Sequence, residues 1–334
     1  MDFFTPSRGN IASWMSRTPV PPNDEGSPMF QLWHQYDPVQ GWVSTRWDDS
    51  DPAESTNTKD TSNITLLTWN IDAAASREPE RTKEIINFIT SRDPKVDIVF
   101  LQEVSKSALR HILEDERIRE SWISSEPDDS AWGNRPFSTM TLVSKTRFTL
   151  RLDSGIRSIA RGLIWRVKYP SHFGRDALCC DLILPPQGFG QSSTRIRLAN
   201  VHLDSLPIKP SHRPTQLSTL TSFLQSAGCG LIAGDFNPVL PEDAILVEAN
   251  GLTDAWKALH DNDPGFTWGV DGKQRFPPSR LDKVAVLGLV PHSIEVLEPQ
   301  LLSTSVQSEH ENDDAPEEVF WSDHHGLLCS FNLS

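Results

Sequence analysis

The sequence predicts an α/β fold, and two observations carry that reading. From Ile64 onward, short apolar runs of β type alternate with segments of helical period. In the middle of the chain, four β-type runs follow one another with only turn residues between them, which predicts antiparallel pairing there. No internal repeat divides the pattern, so residues 61–334 read as one domain.

The elements follow in order. ITLLTWN (64–70) is a strand, Arg77 to Arg92 is helical with Ile85, Phe88 and Ile89 on one face, and VDIVFLQE (96–103) is the next strand. STMTLVS (138–144), GLIWRVK (162–168), ALCCDLIL (177–184) and RIRLANVH (195–202) form the strand-rich middle. A helix over Arg213 to Ser226, with Leu217, Leu220 and Leu224 on one face, leads to the strand GLIAGD (230–235) and a second helix around Glu242 to Asn250. LDKVAVLG (281–288) and GLLCSFNL (326–333) close the chain, and the polar, acidic stretch Ser303 to Glu318 before the last strand reads as a solvated loop. Residues 1–60 read as an N-terminal extension rich in Pro, Ser, Asp and Thr. Its polar run Asp48 to Ser62 reads as a linker, while Met29 to Trp47 groups aromatic residues around the turn-like Asp37-Pro38 and predicts a short hairpin docked on the main domain.

Composition narrows the function. The 334 residues carry 31 Lys+Arg against 45 Asp+Glu, a formal charge of −14, which excludes a protein that grips nucleic acid through a diffuse basic surface. A polyanionic substrate must instead meet local positive charge or a metal. Cys179, Cys180, Cys229 and Cys329 show no ligand spacing and read as reduced thiols, which places the chain inside the cell, in nucleus or cytoplasm. No leader pattern opens the sequence, and no stretch approaches the roughly 18 apolar residues of a membrane span. The expectation is a soluble monomer with no membrane partner.

The chemistry lies where polar residues interrupt apolar strands. Asn70, Glu103, His202 and Asp235 each end an apolar strand run, whereas Asp323 and His324 immediately precede one. In a sheet with antiparallel pairs, strands running one way end at the edge where the others begin, so all six are expected on one rim. Alone, Asn70 is a turn residue, Glu103 a surface charge and Asp235 local turn chemistry. Together they make an acidic cluster that a cation must neutralise, and hard oxygen donors with an amide select Mg²⁺ or Mn²⁺. Asn70, Glu103 and Asp323 are therefore the expected metal residues, with Asp235 orienting or deprotonating a water and Asn237 donating to a nonbridging oxygen. His202 and His324 supply charge or proton transfer at the same phosphate, and Asp282, in SRLDKV, is the candidate partner that orients His324.

The ordered motifs TWN (68–70), LQE (101–103), His202 in NVHLDS, GDFN (234–237), RLD (280–282) and SDH (322–324) resemble the endonuclease/exonuclease/phosphatase superfamily. The resemblance runs from residue 64 to the C-terminus. It implies a four-layered α/β sandwich of two packed mixed β-sheets flanked by helices, and the same roles for the site residues. Within the superfamily, TWNID (68–72), FLQEV (100–104), HLDS (202–205) and SDHHGLLCSF (322–331) look most like the tyrosyl-DNA phosphodiesterase 2 subfamily, whose members hydrolyse 5′-phosphotyrosyl DNA bonds with Mg²⁺. That likeness implies single-stranded or end-frayed DNA as partner, with Trp268, in FTWG, as a stacking platform and Arg161 and Arg213 near positions where the subfamily carries arginine. An RNA tail, an inositol phosphate or another small phosphodiester is the alternative substrate within the same chemistry.

Overall fold

The computed structural model describes residues 27–45, 63–93, 95–149, 159–184, 193–302 and 318–333. The expected linker Asp48 to Ser62 and all of the expected acidic loop except Glu318 lie outside the described residues.

Two eight-stranded sheets carry the fold, and the chain visits them alternately. Strand β1 (Pro28–Gln31) belongs to the first sheet. The chain then enters the second sheet with β2 (Trp33–Asp37), β3 (Gly41–Thr45), β4 (Asn63–Asn70), β5 (Ile98–Ser105), β6 (Trp122–Ser124) and β7 (Phe137–Ser144). It returns to the first with β8 (Phe148–Thr149), β9 (Ile159–Lys168), β10 (Asp176–Leu184), β11 (Thr194–His202), β12 (Gly230–Asp235), β13 (Thr253–Asp254) and β14 (Asp282–Leu287). Strands β15 (Val290–Leu297) and β16 (Gly326–Asn332) finish in the second sheet. The expected antiparallel middle is present as β9, β10 and β11, whereas β7 pairs with β5 in the other sheet.

Helices cover the outer faces. α1 (Glu78–Ser91), α2 (Lys106–Glu114) and α3 (Glu116–Ser121) follow β4 and β5, α4 (Arg213–Ala227) joins β11 to β12, and α5 (Leu246–Ala249) and α6 (Ala255–Leu259) are short. The second helix expected around Glu242 to Asn250 is a 3₁₀ turn over Pro241–Ile245 followed by α5. Asp115 caps α3 by accepting from the Arg117 and Ile118 amides. Three apolar layers result. Leu66, Phe100, Leu178, Leu198 and Leu231 pack between the sheets; Leu67, Trp69, Val99 and Leu101 meet Ile85, Ile89 and Leu109 of the helices; Val201 and Ile232 meet Leu217, Leu220 and Leu224. Each such side chain contributes about 1.5–3 kcal/mol on leaving water.

The aromatic segment of the extension is built into both sheets. β1 pairs antiparallel with β9, and after Leu32 the chain crosses to form the β2–β3 hairpin, which pairs with β6. Trp33 is buried between the sheets and donates from Nε1 to the Gly162 carbonyl at 3.2 Å.

Candidate active site

Strand direction puts the polar residues on one rim. β4 and β5 run parallel, as do β11 and β12, and His202 pairs with Asp235 in register at their ends. β14 runs the other way, so its first residue, Asp282, lies opposite Asp235. β16 likewise runs against β4, which brings Asp323 and His324, just before it, to the same end. Glu103 does not end its strand as the sequence suggested. It sits at a bulge in β5, between Leu101 and Val104, with φ 53°. A bulge re-aims the side chain, and that conformation costs a non-glycine residue on the order of 1–3 kcal/mol. Asn237, at φ 45°, has a comparable backbone in the turn after Asp235. Gly234 is required by packing: a Cβ there would stand 2.0 Å from the Val201 carbonyl oxygen.

The two sheets meet through polar contacts at this rim. Asn70 Nδ2 donates to Asp235 Oδ2 at 3.1 Å and lies 3.4 Å from Glu103 Oε1, while its Oδ1 accepts from the Asp72 amide. Asn70 thus ties Glu103 to Asp235 through its amide nitrogen. His202 Nε2 is 3.3 Å from Asp235 Oδ2 and 3.8 Å from Glu103 Oε1. His324 Nδ1 bonds Asp282 Oδ2 at 2.8 Å, the pairing expected from sequence, and His324 Nε2 is 4.0 Å from Asp323 Oδ1. Trp268 Nε1 donates to Asp323 Oδ2 at 3.0 Å, so this partly exposed indole stands at the site. Deeper in, Gln102 bonds Asn200 across the sheets at 2.8 Å, and Asn200 donates to the Met140 carbonyl at 2.8 Å.

Burial and neighbours set the protonation states. Burial drives His202 well below the usual imidazole range, and Arg175 and His324 add to the effect. Burial alone would lower His324 too, but Asp282 overcomes it and lifts the group to about 10. Burial raises the Asp235 carboxyl, Asp282 raises it further, and His324 and Arg175 oppose the rise. Asp323 is raised by burial and by the carboxylates of Asp72 and Glu103.

Asp235, Asp282 and His324 bring ligand atoms within 4.8 Å of one another, yet the 2.8 Å bond between the last two makes this group a hydrogen-bonded relay. The donors that fit a cation are Glu103 and Asp323. They crowd with Asp72 at the open side of the site, are hard oxygen ligands without a thiolate, and gain from neutralisation, as the raised Asp323 carboxyl indicates.

Two expected substrate arginines lie elsewhere. Arg161 is buried at the far end of β9, paired with Leu182, seven residues or roughly 23 Å along the strand from Lys168, which marks the rim end. Among the described residues it has no charged partner, and burial lowers its pKa to about 10. Arg213 is buried and engaged through two of its three nitrogens: Nε bonds Asp243 at 2.9 Å, and Nη1 holds the carbonyls of Asp204 and Leu206 at 2.7 and 3.1 Å, while Nη2 has no partner among the described residues. It supports the loop after His202 instead of facing a substrate. Asn237 holds the same loop, donating from Nδ2 to the Leu203 carbonyl at 3.2 Å.

Two arginines that sequence reading passed over take part. Arg175 donates to the Leu203 carbonyl and faces Asp235 and Glu103. It precedes β10 immediately, so the strand-start criterion that singled out Asp323 and His324 would have found it. Arg81 is buried on α1, donating from Nη1 to the Ile71 and Trp321 carbonyls and from Nη2 to those of Asp72 and Ala75. It locks both loops that carry the acidic cluster. A charge in step with Ile85 and Ile89 on an apolar face was its signal.

Residues 67–324 match the model of the Endonuclease/Exonuclease/phosphatase family. The chain is 25% identical over 294 residues to tyrosyl-DNA phosphodiesterase 2 of Rattus norvegicus, covering 82% of this chain and 68% of that protein. Among solved structures, D. rerio TDP2 complexed with single strand DNA product aligns with TM-score 0.56 at 17% identity, over 81% of this chain and 99% of that one. TDP2 from C. elegans aligns with TM-score 0.56 at 21% identity, over 81% and 75%.

Proposed function

We propose that this chain, which belongs to the endonuclease/exonuclease/phosphatase family, hydrolyses 5′-phosphotyrosyl bonds at single-stranded or frayed DNA ends with Mg²⁺ or Mn²⁺. That it is a phosphodiester hydrolase follows from the family, and tyrosyl-DNA phosphodiesterase 2 of Rattus norvegicus is a relative it resembles. The observation that carries the finer reading is the Asp282–His324 pair, a buried imidazolium beside Asp235, with the Trp268 indole one residue away on Asp323.

Each residue then has a task. Burial and Asp282 make Asp235 a stronger base than an ordinary aspartate, suited to a water placed between it and the phosphorus. His202, held neutral, places Nε2 3.3 Å from the same carboxylate. His324, held cationic, directs Nε2 at the negative charge that builds on the phosphoryl oxygens, and Arg175 adds a second cation there. Glu103 and Asp323 would hold the divalent ion, whose chemistry when bound is to polarise a phosphoryl oxygen and take up charge on the leaving oxygen. Asn70 keeps Glu103 in line with Asp235. Trp268 offers a face for an unpaired base, which suits a surface with a net charge of −14 because stacking needs no basic groove.

The test is tyrosine release from a 5′-tyrosyl oligonucleotide, with Mg²⁺ and with chelator, beside 3′-tyrosyl DNA, abasic duplex, poly(A) and inositol phosphates. Mg²⁺-dependent release from the 5′-tyrosyl lane alone is expected. Cleavage of a generic aryl phosphodiester without that release, even at high enzyme concentration, would defeat the tyrosyl reading.

A further inference from the structure

Beside the site runs a chain of buried charges that none of these roles uses. Glu126 and Arg166 are buried, and Arg166 Nη2 donates to Glu126 Oε1 at 2.6 Å. Arg166 Nη1 reaches Asp176 Oδ1 at 2.8 Å, and Asp176 Oδ2 in turn accepts from Arg135 Nη1 at 2.6 Å. Gln31 of β1 closes the inner end by donating to Glu126 at 3.2 Å. Arg166 also donates to the Thr139 carbonyl at 2.8 Å, which welds β9 of one sheet to β7 of the other.

The outer end of the chain opens at the rim. β10 and β11 pair up to Ala177 and Val201, so Asp176 stands one step further, level with His202, and follows Arg175 directly. Arg135 precedes by two residues Phe137, whose ring stacks on His202 at 6.0 Å. The Arg135 side chain remains 28% exposed, with Nε on the Trp132 carbonyl at 3.3 Å and Nη2 without a partner among the described residues. The series therefore presents its negative end to the interior and its positive end to the mouth of the site. Other basic side chains near this rim are differently placed: Lys209 and Lys273 are exposed and paired with Glu242 and Glu318, and Arg280 is turned to Asp254. A guanidinium held at Nη1 by a buried carboxylate and at Nε by a backbone carbonyl, with Nη2 left over, is prepared for one more anionic oxygen.

We propose that Arg135 is a second phosphate-binding residue, gripping the phosphodiester next to the one being cleaved. The inference rests on the reading of the site as one that processes nucleic-acid ends. It makes the enzyme a reader of at least two phosphates, in which Arg175 and His324 face the scissile one and Arg135 its neighbour. Asp176 and Arg166 act as positioning residues for that contact.

The experiment compares 5′-p-nitrophenyl esters of thymidine monophosphate and of a thymidine dinucleotide, which share a leaving group and differ by one phosphodiester. For Arg135→Gln, the ratio of kcat/KM between the dinucleotide and the mononucleotide should fall about tenfold relative to wild type, mostly through KM. The slope of log KM against log salt on the dinucleotide should also shrink by about 0.7, one contact on a single strand. Arg135→Lys, which keeps the charge and loses the fork, should recover part of the ratio and serves if the glutamine variant folds poorly. A ratio and a salt slope both equal to wild type in either variant would overturn the proposal. A wild-type enzyme that cleaves neither ester would instead overturn the end-processing reading on which it rests, and the inference with it.

Discussion

His202 and His324 share one site and were assigned similar work from sequence, yet their surroundings drive them to opposite charge states. Both are buried, and burial alone lowers an imidazole. His324 escapes because β14 starts where β12 ends, which delivers the Asp282 carboxylate to its Nδ1 at 2.8 Å. His202 has Asp235 and Glu103 at 3.3 and 3.8 Å and no hydrogen bond on Nε2, so it stays neutral. The lesson is that a histidine in a phosphoryl site takes its role from the carboxylate that reaches its ring nitrogen at bonding distance. A carboxylate a few tenths of an ångström further away leaves burial in command.

The largest effect belongs to the carboxylate between the two rings. Asp235→Asn keeps the size and the Asn237 turn but removes the base, and kcat is expected to fall by at least about 10³-fold with folding intact. A residual rate within tenfold of wild type would transfer the base role to His202. Next comes Asp282→Asn, which leaves His324 in place but without the charge partner that raises it. It should cost about 10²-fold in kcat, and combined with His324→Gln it should cost little more than the single change. Full additivity would show that Asp282 acts on something other than His324. His202→Gln, removing a neutral imidazole, should cost less, about tenfold, and should leave the pH profile's alkaline limb in place because that limb belongs to His324.

Much of this was legible in the sequence because strands impose direction. Asn70, His202 and Asp235 end apolar runs, Asp323 and His324 precede one, and antiparallel neighbours necessarily bring such ends together. Glu103, the expected metal residue, fits that rule only approximately, since the bulge that aims it inserts a residue that no periodicity reveals. Arg161 and Arg213 were misplaced for a related reason. A likeness in sequence neighbourhood does not say which end of a strand a residue occupies, nor whether Asp243 has already taken its guanidinium. Helix α2 and strand β15 escaped a reading that followed apolar runs. The β15 sequence, VPHSIEVL, carries a proline and a histidine and lies at the edge of its sheet, where one face meets water.

A third histidine isolates the burial term from catalysis. His34 lies in β2, remote in sequence from every site residue, with Nδ1 buried and unbonded among the described residues. Burial lowers it to about 4, against the weaker opposing pull of Asp128 and two backbone contacts. Its folded pKa is thus below its unfolded value of 6.5, so the unfolded chain takes up a proton first as pH falls. The contribution is fully present above pH ~6.5 and is lost as pH falls towards ~4, reaching about 2 kcal/mol at pH 5. Urea titrations at pH 7 and pH 5 should therefore show a stability difference in wild type that shrinks by about that amount in His34→Gln. An unchanged difference would mean that the strand carrying His34 opens enough to let the ring protonate in the folded state. The burial account of His202 would then lose its simplest support.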